Sequence, residues 1–165
     1  MIRICFVCLG NICRSPTAEA VMRALVAARG LEDRVSIESA GTGDWHVGHQ
    51  RDKRSRAVGQ ARGTPLDGHA RQFIARDFDR YDMVIAMDRS NRDELLRMAP
   101  DPEARAKVSM LRAYEPGAPP DADVPDPYYG GPSGFDDVFD ICEAACGGLL
   151  EALLREDDGG GAEAP

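Results

Sequence analysis

Residues 8–15 read Cys8-Leu9-Gly10-Asn11-Ile12-Cys13-Arg14-Ser15, a cysteine followed by five residues, an arginine and a serine. Upstream, Ile2 to Leu9 is a short apolar run of buried-strand length. Downstream, Ser15-Pro16 suits a helix start, with a hydroxyl at the N-cap and proline at the first helical position. Ala18, Val21, Met22, Leu25 and Val26 then recur at helical spacing, and Gly30 suits a stop. The stretch is therefore a tight loop between a strand and a helix N-terminus. Such a loop can turn successive backbone N–H groups toward one centre as an anion nest, reinforced by the positive end of the helix dipole. Gly10 and Asn11 are best able to adopt left-handed backbone angles. Arg14 offers a planar fork of donors matching two phosphate oxygens. Leu9, Gly10, Asn11, Ile12, Cys13, Arg14 and Ser15 are the candidate phosphate-binding loop. The same field favours a thiolate at Cys8, placed for in-line attack on phosphorus.

Other readings of the cysteines explain less. Cys8 as a buried apolar residue leaves Arg14, Ser15 and Pro16 without a common cause. Zinc binding from Cys5-x-x-Cys8 finds no further ligands, because Cys142 and Cys146 fall on an apolar helix face. We expect no metal and no cofactor. A nucleoside triphosphate loop would require Gly-Lys-Ser/Thr.

Outward from the loop, strand-like and helix-like segments alternate. Val35 to Ala40 reads as a second strand, Lys53 to Arg62 as a helix ending near Gly63, and Tyr81 to Met87 as a third strand. A helix over Ser90 to Met98 ends before Pro100, and Lys107 to Leu111 is a weak fourth strand. Residues 114–134 are too rich in Pro, Gly and Asp for a regular element. Phe135 to Arg155 reads as a helix with Val138, Phe139, Cys142, Cys146, Leu149, Leu150 and Leu153 on one face. This alternation predicts an α/β fold, a parallel twisted sheet with helices on both faces and the site at its carboxyl edge. We expect one domain over residues 1–155 and a flexible acidic, Gly-rich tail over 156–165.

The net charge is −8, and four of the acids (Glu156, Asp157, Asp158, Glu163) lie in the last ten residues. An acidic chain without a nucleic-acid type of Lys/Arg cluster argues against DNA or RNA partners. No apolar stretch approaches membrane-spanning length, so we expect no membrane partner. Five cysteines without framework spacing fit reduced thiols, and the expected location is the cytoplasm. Arg51, Lys53, Arg54, Arg56 and Arg62 form a basic stretch, read either as a solvated helix face or as a surface steering acidic phosphopeptides. Cys13 shares a tight loop with Cys8, so peroxide should convert Cys8 to a sulfenic acid that Cys13 traps as a disulfide.

The block Cys8-Leu9-Gly10-Asn11-Ile12-Cys13-Arg14-Ser15-Pro16-Thr17-Ala18-Glu19 resembles the low-molecular-weight protein tyrosine phosphatases. Ser39-Ala40-Gly41-Thr42, Trp45-His46-Val47-Gly48, His69-Ala70-Arg71-Gln72, Met87-Asp88-Arg89-Ser90-Asn91 and Asp126-Pro127-Tyr128-Tyr129-Gly130-Gly131 agree in order. The resemblance implies a four-stranded parallel sheet, no metal, and hydrolysis of phosphotyrosine on proteins through a phosphocysteine intermediate. It implies Cys8 as nucleophile, Arg14 as phosphate clamp and Asp126 as general acid on a separate loop. Asn11, Ser15, Ser39 and His69 would support the loop; Trp45, Tyr128 and Tyr129 would form an aromatic rim. The chain departs from the pattern after Gly48, where Gln50 and Lys53 replace prolines common in the family.

Pattern alone reads Asp126 as a turn residue before Pro127, with Asp121 and Asp123 as alternative acids; the resemblance selects Asp126. The expected partner is a tyrosine-phosphorylated protein or peptide, bound by a monomer, with a weak dimer as the alternative. Two rivals remain. An arsenate reductase would need relay cysteines, but none occurs between Cys13 and Cys142. A non-catalytic phosphotyrosine-binding module would need neither Cys8 nor Asp126.

Overall fold

Alternation along β1 (Ile2–Cys8) sorts the core into two halves. Ile4, Phe6 and Cys8 enter one apolar cluster, whereas Cys5 and Val7 enter another on the opposite face. A strand buried on both sides needs apolar residues at nearly every position, which is why it reads as one continuous run. The computed structural model describes residues 1–131 and 133–159, apart from the side chain of Tyr129.

After β1 come α1 (Arg14–Ala28), β2 (Val35–Gly41), α2 (Lys53–Ala61), β3 (Met83–Ala86) and α3 (Arg89–Met98). The chain continues through α4 (Pro102–Ala106), β4 (Val108–Met110) and α5 (Ser133–Gly159). All strand pairings are parallel and the sheet order is β2-β1-β3-β4. α1 and α5 supply the cluster on one face, including Met22, Val26, Phe139, Cys142, Leu149 and Leu150. Leu95 of α3 and Ala104 of α4 join Phe73, Phe78 and Tyr81 on the other. The single four-stranded parallel sheet with two helical layers is the architecture expected. β2 and β3 lie on opposite sides of β1, so the carboxyl end of β1 is a switch point where such sheets open a crevice. Cys8 ends β1 there.

Several boundaries differ from expectation. Cys13, not Ser15, occupies the cap position of α1, and no side chain caps it. The Ser15 hydroxyl is instead engaged by Cys8, Asn11 and Ala40. α3 is capped by Asp88, whose carboxylate accepts from the Asn91 N–H at 2.7 Å. α4 is an additional element, because five residues are too few for apolar periodicity to show; Asp101 caps it and Pro102 opens it. α5 runs on to Gly159, so the expected tail boundary after residue 155 moves four residues later. Asp157 pairs there with Arg34, and Glu151 earlier on the same helix pairs with Arg29. Residues 160–165 of the expected tail lie outside the described residues. Among the described residues, no helix is long and apolar enough to cross a membrane.

Leu149 is fully buried in the α1–α5 layer. Leu149→Ala should lower the unfolding free energy by about 2–5 kcal/mol through lost transfer energy and the cavity left behind. Urea denaturation measures this, and a loss below about 1 kcal/mol would contradict the packing described.

Candidate active site

Beyond Cys8 the chain turns through residues 9–13 before α1 begins. Its carbonyls are tied to the scaffold. Cys8 O accepts from Thr42 N at 2.8 Å, Leu9 O from Gly43 N at 2.9 Å and Ile12 O from Asp52 N at 2.8 Å. Asn11 O accepts from the Arg51 guanidinium at 2.8 Å, and Cys13 O from Thr17 Oγ1 at 2.7 Å. Among the described residues, the N–H groups of Gly10, Ile12, Cys13 and Arg14 donate to no backbone or side-chain acceptor. A loop with its carbonyls turned outward and its amides unspent is an anion nest. Gly41, at the end of β2, makes room for it. A Cβ there would stand 2.6 Å from Leu9 O and 3.1 Å from Asn11 N.

Asn11 is the one non-glycine residue with positive φ among the described residues, at 57°. Of the two residues expected to turn left-handed, it alone does so; Gly10 does not. Its buried side chain fastens the loop from within. Nδ2 donates to Ser15 Oγ and to Ser39 Oγ, both at 2.9 Å. Oδ1 accepts from the Arg71 backbone N–H at 3.0 Å and from Arg51 Nη1 at 2.9 Å. Since both partners of Oδ1 can only donate, the amide orientation is determined.

Cys8 Sγ lies at the floor, 3.0 Å from Ser15 Oγ, and accepts from the Asn11 N–H at 3.2 Å. The Ser15 oxygen already accepts from Asn11, so its own proton is available to the sulfur or to Ala40 O at 3.3 Å. Burial pushes the thiols of Cys5, Cys142 and Cys146 above their ordinary value, which keeps them neutral. Cys5 also belongs to the opposite face of the sheet from Cys8, so the Cys-x-x-Cys spacing brings no second ligand to it.

Arg14 is buried to 3% exposure, yet charged groups surround it. Nη1 donates to Asp88 Oδ2 at 2.6 Å and to the Val124 carbonyl at 3.0 Å, while Nη2 is 3.7 Å from Asp126 Oδ2. Burial alone would lower its pKa; the neighbouring Cys8, Asp88 and Asp126 outweigh that and raise it. Asp126 accepts from the Tyr128 N–H at 3.0 Å and remains partly exposed. Of the other candidate acids, Asp123 is taken by Arg89, whose backbone N–H and guanidinium both bind it. Only Asp126 reaches the cleft.

That cleft holds about 390 Å³ and is lined by Cys8, Leu9, Gly10, Ile12, Cys13, Arg14, Trp45, His46, Asp126 and Tyr128. Trp45 is 67% exposed and Tyr128 41%, so two aromatic faces stand at its mouth. The Tyr129 side chain lies outside the described residues. Arg54 lies over the rings of Tyr128 (5.3 Å) and Phe135 (4.5 Å) and also binds Asp52. It therefore braces the loop that carries Asp126.

The expected role of His69 is corrected. Its side chain is exposed and, among the described residues, bonds to nothing; its backbone bridges Gln50. The segment instead offers Asn11 the amide of Arg71, and the second support comes from Arg51. The basic stretch is largely consumed internally. Arg51 is buried, Arg54 is stacked, and Arg62 binds Asp136, Asp140 and Glu143 of α5. Asp88 and Arg51 are the site residues that sequence reasoning missed. An Asp before a helix signals a cap, but the second carboxylate oxygen turning to Arg14 has no local signature.

The sequence model described as low molecular weight phosphotyrosine protein phosphatase matches residues 3–158. The chain belongs to this family. It is 50% identical over 158 residues to a low molecular weight protein-tyrosine-phosphatase of Streptomyces coelicolor, covering 95% of this chain and 96% of that protein. The crystal structure of a protein tyrosine phosphatase from Entamoeba histolytica superposes with a TM-score of 0.90 at 40% identity, over 95% of this chain and 99% of that one. YwlE, an arginine phosphatase, shares the fold at a TM-score of 0.82 and 25% identity, over 92% and 95% of the two chains. The family to which this phosphatase belongs is one of hydrolases.

Asp88→Asn would keep an oxygen for the α3 cap while removing the anion that orients Arg14. Affinity for inorganic phosphate, measured by calorimetry, should fall about 10-fold or more. Unchanged affinity in the folded variant would show that Arg14 needs no such partner.

Proposed function

We propose that the chain hydrolyses phosphotyrosine in proteins through a phosphocysteine formed on Cys8. One observation carries the reading: a sulfur at the floor of a loop with outward-tied carbonyls and unspent amides, under a buried arginine. The unspent amides of Gly10, Ile12, Cys13 and Arg14, with the Arg14 guanidinium, bind the three non-bridging oxygens and stabilise their charge as the P–O bond loosens. The Cys8 thiolate attacks phosphorus in line, and the bond to the aryl oxygen breaks. Asp126, as a carboxylic acid, gives its proton to the departing phenolate. In the second step Asp126 takes a proton from water as the water attacks phosphorus. The P–S bond breaks, and the returning thiolate is received by Ser15 Oγ and the Asn11 N–H.

Trp45 and Tyr128 favour an aryl ester, because they can flank a flat ring at the mouth of the cleft. A mutant of YwlE with serine in place of a cysteine has been solved with that active-site serine phosphorylated, which supports phosphoryl transfer to a side chain of this fold's active site. A cysteine nucleophile works only while reduced, a condition that the cytoplasm supplies. With aryl phosphates in the presence of a chelator, wild type should retain full activity and Cys8→Ser should be inactive. Asp126→Ala should lose about 10²–10⁴-fold on poor leaving groups and less on good ones. Turnover by Cys8→Ser, or an equal loss on all leaving groups, would overturn these roles.

The same loop supports redox control. Peroxide oxidises the Cys8 thiolate to a sulfenic acid; the Cys13 thiolate then attacks that sulfur and expels hydroxide, leaving a disulfide. Cys13 is buried, and this, with the Asp52 charge, pushes its thiol up to about 12 despite a hydrogen bond from Ser55. Disulfide closure should therefore quicken about tenfold per pH unit between about pH 7 and 9, as the reactive thiolate fraction grows. Mass mapping that finds over-oxidised Cys8 and free Cys13 at both pH values would refute the trap.

A further inference from the structure

Arg51 is only 5% exposed, a burial few arginines reach, and unlike Arg14 it does not line the cleft. Two of its hydrogen bonds go to one neighbour, Asn11. Nη1 binds both Asn11 O at 2.8 Å and Asn11 Oδ1 at 2.9 Å, while Nε binds Asp67 O at 3.1 Å. Its nearest carboxylate, Glu19, is 3.9 Å from Nη2, too far for a hydrogen bond. A buried cation with so loose a counterion is costly unless its hydrogen bonds are used. Gly68, at φ +86°, leaves the room: a Cβ there would stand 3.3 Å from Arg51 Nη2.

We propose that Arg51 is the positioning residue of the phosphate loop, holding Asn11 left-handed so that the loop amides stay turned to the cleft. The assignment rests on the phosphatase reading of that loop. Asn11 is the one described non-glycine residue whose backbone opposes its own sterics, so it needs external restraint. Arg51 grips it at two atoms at once, main chain and side chain, which fixes both the peptide plane and the rotamer. The groups facing Arg51 are Glu19 and Arg23 of α1, Arg71 of the following segment, and Cys8 across the loop. Burial lowers its pKa, with Glu19 and Cys8 opposing, but an arginine remains charged throughout the working range. Its support therefore does not titrate, and it places a fixed positive charge near Cys8.

The test compares wild type with Arg51→Gln and Arg51→Lys by calorimetry with inorganic phosphate, aryl phosphate turnover, and the pH profile of Cys8 alkylation. Arg51→Gln should weaken phosphate binding and kcat/KM about 10- to 100-fold and move the alkylation profile to higher pH. Arg51→Lys keeps the charge but has one donor nitrogen where arginine uses two, so it cannot keep the Asn11 and Asp67 contacts together in the fixed fork; the alkylation profile should stay near wild type while phosphate affinity still falls. A residue that merely stabilises the fold would lower Tm and leave the phosphate affinity of the folded protein unchanged. Phosphate affinity within about twofold of wild type in Arg51→Gln, or in Arg51→Lys should the first variant not fold, overturns the proposal. Because affinity is read without turnover, a wild type that binds phosphate but hydrolyses nothing would contradict only the phosphatase reading.

Discussion

Asn11 holds a left-handed backbone that costs an ordinary residue roughly 1–2 kcal/mol, and four hydrogen bonds from its own side chain offset that cost. The bonds join α1, β2 and the chain on either side of α2. Each partner is delivered by a different part of the fold: Ser15 by the first helical turn, Ser39 by the strand beside β1, Arg71 and Arg51 by the chain beyond β2. The loop is thus shaped by the assembled tertiary structure and not by its own preferences. Through the same residue the loop reaches the sulfur, since the Asn11 backbone N–H donates to Cys8 Sγ.

Charge is organised around that geometry. Two buried arginines meet the loop, Arg14 at the cleft and Arg51 at Asn11, each near a distinct set of acids. Asp88 serves two ends at once, because one oxygen starts α3 while the other orients Arg14. In a low-dielectric crevice such fixed dipoles and charges need not reorganise when negative charge arrives. Asp126 is set apart from this rigid core. It sits on an irregular segment, partly exposed, attached through Arg54 and the short turn at Pro127–Tyr129. The proposed phosphate cradle is therefore built on the sheet, and the proposed proton donor on a loop braced against it.

Features decided by local chemistry were legible in the sequence. The uninterrupted apolar run Ile4 to Cys8, the helical spacing after Ser15 and the apolar face of α5 each reflect burial that a short window records. Asn11 was legible as a left-handed residue because few side chains tolerate that angle. Elsewhere distant partners decide the outcome. Ser15 looks like a cap, but Cys8 and Ala40 compete for its hydroxyl. His69 lies close in sequence to the residue that supports Asn11, yet its side chain is exposed. Arg51 reads as one of five basic residues in a solvated stretch, since nothing in neighbouring residues reports that a cation is buried. The acids after residue 155 look like a tail, but α5 continues, and Arg34 meets Asp157 there.

At the centre of the mechanism we propose, phosphorus passes to the sulfur of residue 8. Rapid quenching of an aryl phosphate reaction labelled at phosphorus, followed by peptide mapping under conditions that preserve thiophosphate esters, tests it directly. The account predicts transient label on the peptide containing Cys8, bound through sulfur and discharged by water. Turnover with no label on that residue, or label elsewhere at kinetically competent rates, would contradict it.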